Sequence, residues 1–226
     1  MRERSQSLKL HTLHGELALI IAVIINSLGV VLMLYSGAGI SAISSVPYAF
    51  SKVIPILTLG TWTYIFQGLL VLSLMIMRKK FVPSYLFSFV VGFAFSELLD
   101  LHELWIGILP YTVPLRVLYF IVSYVLICIG IALSNRCKLS IIPTDLFPRE
   151  FSNITNISYP KVKIGFDISC LLITGILTFA FLGHVDGLGI GTIVAAFTMG
   201  KGIGLVGSLF DRRINFKVFN CMKKLS

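Results

Sequence analysis

A lysine stands within the last apolar segment of the chain, where a charge is costly. Lys201 lies in the run Gly187–Phe210, and an ammonium at the centre of a bilayer costs about 2.5–3.5 kcal/mol on insertion scales. Such residues usually face a partner or a cavity. Asp167 stands near the start of the preceding apolar segment, four residues after Lys163, and a lysine stem can reach toward it by snorkelling. We predict an ion pair between Asp167 and Lys201 on neighbouring helices.

Two interpretations of this pair remain open. In the functional one, Lys201 binds an anion or a proton, and its charge is released when Asp167 is displaced. In the structural one, the pair only locks the last two helices together. Trp62 and Phe93 occupy the matching positions in the first half of the chain, so neither residue is duplicated there.

A glycine run, Gly-Leu-Gly-Ile-Gly-Thr at 187–192, precedes this lysine. Small residues three or four positions apart let helices approach closely. The run is also typical of a helix start, where unpaired N–H groups and the helix dipole favour an anion. Gly189, Gly191 and Thr192 are therefore candidate binding residues. No preceding strand or acidic ribose ligand accompanies them, so the run does not indicate a nucleotide site.

Nothing in the sequence indicates a catalytic or metal centre. Acidic and histidine residues gather between the third and fourth and between the fifth and sixth apolar segments, without H-E-x-x-H or equivalent spacing. They are Asp100, His102, Glu103, His184 and Asp186, for which we predict solvated loops. The four cysteines are widely spaced and form no C-x-x-C motif. We expect a protein that is not an enzyme and has no cofactor.

Composition places these residues in a membrane protein. Of 226 residues, 56% are hydrophobic and 13% charged, whereas soluble domains have about 25% charged residues. A spanning helix needs about 20 mostly apolar residues, and the chain offers six candidates. They are Leu17–Tyr35, Leu57–Met77, Phe81–Ser96, Val117–Asn135, Ile164–Gly183 and Gly187–Phe210. The predicted fold class is an all-α membrane protein of about six transmembrane helices, with the lipid bilayer as its first partner.

Most basic residues fall on one side of these six segments, whereas Lys52 falls on the opposite side. The side with most of them carries Arg2, Arg4, Lys9, Arg78, Lys79, Lys80, Arg136, Lys138, Arg149, Lys161, Lys163, Arg212, Arg213, Lys217, Lys223 and Lys224. By the positive-inside rule this side is cytoplasmic, and both termini with it. We therefore interpret the net charge of +9 as the result of basic residues that mark the cytoplasmic side, and we expect no nucleic-acid partner.

An internal repeat relates the two halves of the chain. An offset of 101 positions, growing to 108 towards the C-terminal end, aligns several glycines and prolines. The aligned pairs include Gly29 with Gly130, Pro47 with Pro148, Gly60 with Gly165, and Gly92 with Gly200. Each half, about 15–100 and about 114–210, contains in this order a helix, a proline-containing segment and two further helices. Because each half has an odd number of spans, the second copy is predicted to be inverted.

The proline-containing segments Gly37–Ile56 and Leu139–Tyr159 are too short and too broken to span the bilayer cleanly. In secondary transporters built from inverted repeats, interrupted helices lie at the substrate site. Both segments could enter the membrane from opposite faces, provided that protein covers their unpaired backbone groups. The alternative is a pair of amphipathic helices lying flat at the interface.

Several short motifs of both halves occur together. They are Pro143-Thr144-Asp145, Lys163 with Asp167, Gly189-Ile190-Gly191-Thr192, Gly200-Lys201, Gly37-Ala38-Gly39 and Gly60-Thr61-Trp62. With these motifs the chain, from about Leu17 to Phe210, resembles the YczE/YitT-like family of bacterial multi-pass membrane proteins. The resemblance implies a bacterial plasma membrane location, and no settled substrate or reaction.

The chain departs from a symmetric pattern at Ser44. This position in the first half corresponds to Asp145 in the second half, but it carries no acidic residue. The two interrupted segments therefore cannot coordinate a cation identically. We expect a small secondary transporter or permease-like protein for an unknown small solute, with an anionic group as the first candidate. The alternative is a non-transporting accessory or scaffold protein that supports an enzyme or exporter. A homo-oligomer is compatible with either function.

Overall fold

The computed structural model describes residues 11–137, 139 and 141–217. Six helices in this part of the chain are long and apolar enough to cross a membrane, which confirms the all-α membrane fold. They are α1 (Gly15–Tyr35), α3 (Leu59–Arg78), α4 (Pro83–Ile106), α5 (Val113–Ser134), α7 (Tyr159–Leu182) and α8 (Ile190–Arg213). Two shorter helices, α2 (Ala42–Val53) and α6 (Pro143–Thr155), form within the predicted proline-containing segments.

The largest difference from the predicted bounds concerns α4, which continues past Ser96 to Ile106. Asp100, His102 and Glu103 therefore lie on its last turns and not in a solvated loop, which corrects that prediction. These residues alternate with leucines, which have a high helix propensity, so the local sequence continues the helix although its hydropathy falls.

A short pair of parallel strands links the two ends of the described chain. β1 (His11–His14) directly precedes α1, β2 (Ile214–Lys217) directly follows α8, and His11 pairs with Ile214. The start of α1 and the end of α8 therefore lie at the same end of the bundle, as an even number of crossings requires. The tails predicted to be cytoplasmic, residues 1–10 and 218–226, lie outside the described residues, as does Lys138.

Small residues let α1 and α5 approach each other closely. A β-carbon on Gly29 of α1 would meet the side chain of Ile127, and a β-carbon on Gly130 of α5 would meet that of Asn26. As the residue number rises along α1, the number of its partner falls along α5. The two helices are therefore antiparallel.

The two halves of the chain use largely corresponding packing partners. The contact of α1 with α4 in the first half corresponds to that of α5 with α8 in the second. The short helix α2 packs on α3 and α7, and its counterpart α6 also packs on these two helices. α3 packs along α4, whereas α7 and α8 have no comparable contact. α8 is consequently the least enclosed of the six spanning helices, with 11% of its most apolar stretch buried against 61% for α1.

Candidate functional site

Both short helices begin in the interior of the bundle. At the start of α2, the hydroxyls of Ser45 and Thr174 share a hydrogen bond of 2.8 Å, and Thr174 lies near the middle of α7. At the start of α6, the Cδ atom of Pro143 lies 3.0 Å from the position of a β-carbon on Gly92, near the middle of α4. Both starts thus lie at mid-depth, as expected of re-entrant segments and not of helices lying flat at the interface.

The local sequence explains why helices begin at these points. Ser41 is the N-cap residue of α2 in an extended backbone conformation, although its hydroxyl caps no backbone N–H and instead donates a hydrogen bond of 2.9 Å to the hydroxyl of Ser44. Pro143 takes the first position of α6, where its missing N–H would be unpaired in any case. A helix start carries a partial positive charge of about half an elementary charge. Two such starts therefore give the interior a positive bias.

The starts of α2 and α6 line one cavity of about 550 Å³, a volume within the range of about 300–1,000 Å³ for small-molecule sites. The rest of its wall comes from α1, α4, α5, α7 and α8. Because α7 and α8 do not pack along each other, the gap between them is part of the cavity. The polar wall residues are Asn26, Ser41, Ser44, Asn135, Thr144, Asp145, Tyr159, Lys163, Asp167 and Lys201.

The charged side chains of the wall are two acids and two lysines, so their formal charges cancel. Lys163 and Asp167 form an ion pair of 2.7 Å one turn apart on α7. Asp145, in the first turn of α6, is partly buried and keeps part of its surface toward the cavity. Lys201 is exposed and forms no ion pair with any other described residue.

The predicted ion pair between Asp167 and Lys201 is wrong. Asp167 bonds instead to Lys163 of its own helix, where the spacing of four residues brings the two side chains to one face. Lys201 is carried by α8, which packs on α5 and not on α7. The pair therefore cannot lock the last two helices together, although both residues line the cavity.

The structure does not bring Gly189, Gly191 and Thr192 to the cavity wall. α8 does begin at Ile190, directly after Gly189, as the glycine run predicts. The N–H of Gly191, however, donates a hydrogen bond of 2.8 Å to the carbonyl oxygen of Ala38, in the loop that leads to α2. Protein therefore occupies the position that we predicted for an anion at this helix start.

Two of the acidic residues at this end of the bundle, Asp100 and Asp186, have hydrogen-bond partners at separate places. Asp100 accepts hydrogen bonds from the Thr58 hydroxyl at 2.6 Å and from the Gly60 N–H at 2.7 Å. Asp186 accepts one from the Tyr48 hydroxyl at 3.3 Å. Across the described residues, no three His, Cys, Asp or Glu side chains come close enough together to hold a metal ion.

A family model covers almost the whole helical part of the chain, at residues 13–208. The chain belongs to the family of unknown function DUF6198. No curated protein and no solved structure matches it significantly. The matched range includes every residue of the cavity wall. The narrower resemblance to YczE/YitT-like proteins stays a prediction.

In this DUF6198 chain, sequence reasoning missed several polar residues of the cavity wall, among them Asn26 and Lys163. Asn26 is 4% exposed, and its Oδ1 atom has no hydrogen-bond partner among the described residues. The signal was an amide in the middle of an apolar span, where a polar group needs a partner. Lys163 was assigned to topology and to a family motif but not to the site, although its four-residue spacing from Asp167 is compatible with an ion pair on one helix face.

Proposed function

We propose that the chain is a small secondary transporter or permease-like protein that moves a small solute with an anionic group across the membrane. The observation that carries this proposal is the cavity that the starts of α2 and α6 share with Lys201. Secondary transporters use discontinuous helices in this way, because the N-terminal ends of half-helices at mid-depth attract anionic groups of the substrate.

The packing of α1 against α5 supports an inverted repeat. These are the first helices of the two halves, about 15–100 and about 114–210, and they run antiparallel. The offset of 101 positions, applied to both partners, converts the contact of Gly29 with Ile127 into that of Gly130 with Asn26. Such an exchange is what a twofold pseudo-axis in the membrane plane produces. We infer that the halves are inverted repeats and that the cavity lies at their interface.

Lys201 is the side chain that we assign to the anionic group. The ion pair with Lys163 neutralises Asp167, so Asp167 does not compete for Lys201. An ionised Asp145 offsets the partial charge at the start of α6, whereas Ser44 leaves the start of α2 uncompensated. The anionic group is therefore placed toward α2 and α8. The apolar part of the wall, with Phe95 and Phe197, suits the hydrocarbon part of the same solute.

Uptake into liposomes tests the proposal directly. Purified protein is expected to take up at least one member of a panel of small labelled carboxylates, sulfonates and inorganic anions. Lys201→Ala is expected to lose that uptake, whereas Lys161→Ala is expected to retain it, because Lys161 is exposed and lies outside the cavity wall. If no anion is taken up or raises the unfolding temperature, and Lys201→Ala lowers stability alone, the proposal fails.

A non-transporting accessory or scaffold protein is the second candidate, and the outer faces of α7 and α8 favour it. Phe181, Ile193 and Leu205 are 69%, 58% and 66% exposed. Apolar side chains on such a face contact lipid or a neighbouring protein, which can be a second copy of the chain. A membrane enzyme or exporter that requires this chain for its activity, together with no uptake by any anion, would favour this function.

We place the protein in a bacterial plasma membrane, with the end of the bundle that carries Arg78 and Arg136 in the cytoplasm. The excess of basic residues at this end supports the orientation. Arg116, at the other end, does not alter the balance, since its guanidinium donates a hydrogen bond of 2.9 Å to the carbonyl oxygen of Ser36 at the end of α1.

A further inference from the structure

The packed boundary between α3 and α4, here called the α3–α4 seam, corresponds to the open gap between α7 and α8. A β-carbon on Gly60 would collide with the carbonyl oxygen of Ser96, so the two helices touch there. The offsets of the repeat match Gly60 to Gly165 and Ser96 to Gly204. No described atom outside the local backbone lies within 4 Å of a β-carbon built on Gly165 or Gly204. The contact that closes the first half is therefore open in the second.

The α3–α4 seam contains buried polar side chains without protein partners. Gln67 is 0% exposed, and neither its Oε1 nor its Nε2 atom has a hydrogen-bond partner among the described residues. Its Oε1 atom is the nearest atom to a β-carbon built on Gly92 of α4. Ser88 and Ser96 lie four residues before and after Gly92 on the same face, and both hydroxyls are buried and unpaired within the described chain.

These polar groups are specific to the α3–α4 seam. The positions that match Gln67 and Ser88 in the second half are Leu172 and Ala196. Leaving a buried amide or hydroxyl unpaired destabilises a fold, and an apolar side chain of the same shape avoids that cost. A seam that stays closed would therefore be more stable with leucine and alanine. Polar groups here become favourable when the seam opens to polar contents.

We propose that the α3–α4 seam forms the other part of the solute pathway and that this seam opens when α7 and α8 close on each other. Gln67, Ser88 and Ser96 then contact the polar groups of the passing solute. This inference rests on the proposed transport function, and it assigns to the seam the role that the gap beside Lys201 has in the present structure. In inverted-repeat transporters, alternating access is largely a movement of one repeat against the other around a fixed site.

A hydrogen-bonded clasp explains why the seam is the closed side in this structure. Asp100 of α4 accepts hydrogen bonds from the Thr58 hydroxyl and the Gly60 N–H at the start of α3. Ser208 stands at the matching position of α8, and its hydroxyl donates to the carbonyl oxygen of Leu205 on its own helix. The gap between α7 and α8 thus lacks the clasp that holds α3 to α4.

Disulfide cross-linking tests whether α7 and α8 close. In a variant with the native cysteines replaced by alanine, the pair Gly165→Cys with Gly204→Cys is expected to cross-link in membranes under mild oxidation. The control pair is Gly165→Cys with Phe197→Cys, because Phe197 lies seven residues, or about 10 Å along the helix axis, from Gly204. Equal cross-linking of the two pairs, or none in either, would overturn the inference.

A substitution in the seam separates a pathway role from a structural one. Gln67→Leu installs the side chain of the matching position and is expected to raise the unfolding temperature while uptake falls to a small fraction of wild type. Ser73→Ala is the control, since the Ser73 hydroxyl bonds only to the carbonyl oxygen of Leu70 on its own helix, and it is expected to leave both quantities unchanged. Wild-type uptake by Gln67→Leu would contradict the pathway role.

The two experiments distinguish failure of this inference from failure of the transport proposal. Cross-linking needs no solute, so it reports closure of α7 on α8 even if no anion is transported. Wild-type uptake without the cross-link between positions 165 and 204 overturns only the proposed seam opening. If Gln67→Leu does not fold, the cross-link decides the inference.

Discussion

Lys163 and Asp167 form an ion pair of 2.7 Å on one turn of α7, and this pair leaves Lys201 without an acidic partner across the cavity. The side chains of Lys163 and Asp167 are 30% and 16% exposed, so neither is fully withdrawn from the cavity. The pair supplies no net charge to the site. The positive charge available to a solute is therefore that of Lys201, together with the partial charges of the two helix starts.

Breaking this ion pair should weaken uptake of the anion. Lys163→Ala frees the Asp167 carboxylate, which then repels the solute and competes for Lys201, so the apparent KM for the transported anion should rise. Removing both partners in Lys163→Ala with Asp167→Ala should restore most of the affinity, because the site is again neutral at that point. A double-mutant cycle of uptake kinetics measures the coupling. Additive effects of the two substitutions would show that the pair does not shape the site.

A glycine is required at position 39, where the loop before α2 meets the start of α8. Its φ of +113° lies in a region that side chains disfavour, and a β-carbon would collide with the Thr192 hydroxyl. Gly39→Ala is expected to destabilise the fold by about 1–3 kcal/mol. Gly107→Ala is the matched control, because Gly107 has a φ of −64° and open space around it. Equal unfolding temperatures for the two variants would show that this contact is not tight.

The direction of the chain in the membrane can be measured independently. Reporter fusions after Lys80 and after Asn156 should both report the cytoplasm, and a fusion after Gly107 should report the opposite side. These positions follow α3, α6 and α4, respectively. A periplasmic signal after either Lys80 or Asn156 would contradict the proposed orientation, and the inverted repeat with it.

The membrane fold could be predicted from the sequence because its cause is local. Each spanning helix must itself hold about 20 apolar residues, since no water pairs with the backbone inside the bilayer. The prediction ended α4 too early because it defined the segment by hydropathy alone. Hydropathy falls at Asp100 and Glu103, but the leucines around them have a high helix propensity, and the helix continues to Ile106.

The candidate site could be predicted only in part. Asp145, Asp167, Ser44 and Lys201 were chosen as charged or polar residues near interrupted or apolar segments, and the structure brings all four to one cavity. The partner of Asp167 was not predictable from spacing alone, because Lys163 and Lys201 both lie within reach of an aspartate at that depth. The position of α8 on α5 decides between them.

The sequence alone determined that this chain crosses the membrane about six times and that two short helices interrupt its halves. These properties follow from hydropathy and proline, which act within one segment. Only the tertiary structure decided that Gly60 meets Ser96 while the matching Gly165 and Gly204 stay apart. Both pairs of helices are apolar enough to span the membrane, so hydropathy does not distinguish them; contacts between helices, such as those of Asp100 with the start of α3, determine which pair is closed and where the cavity lies.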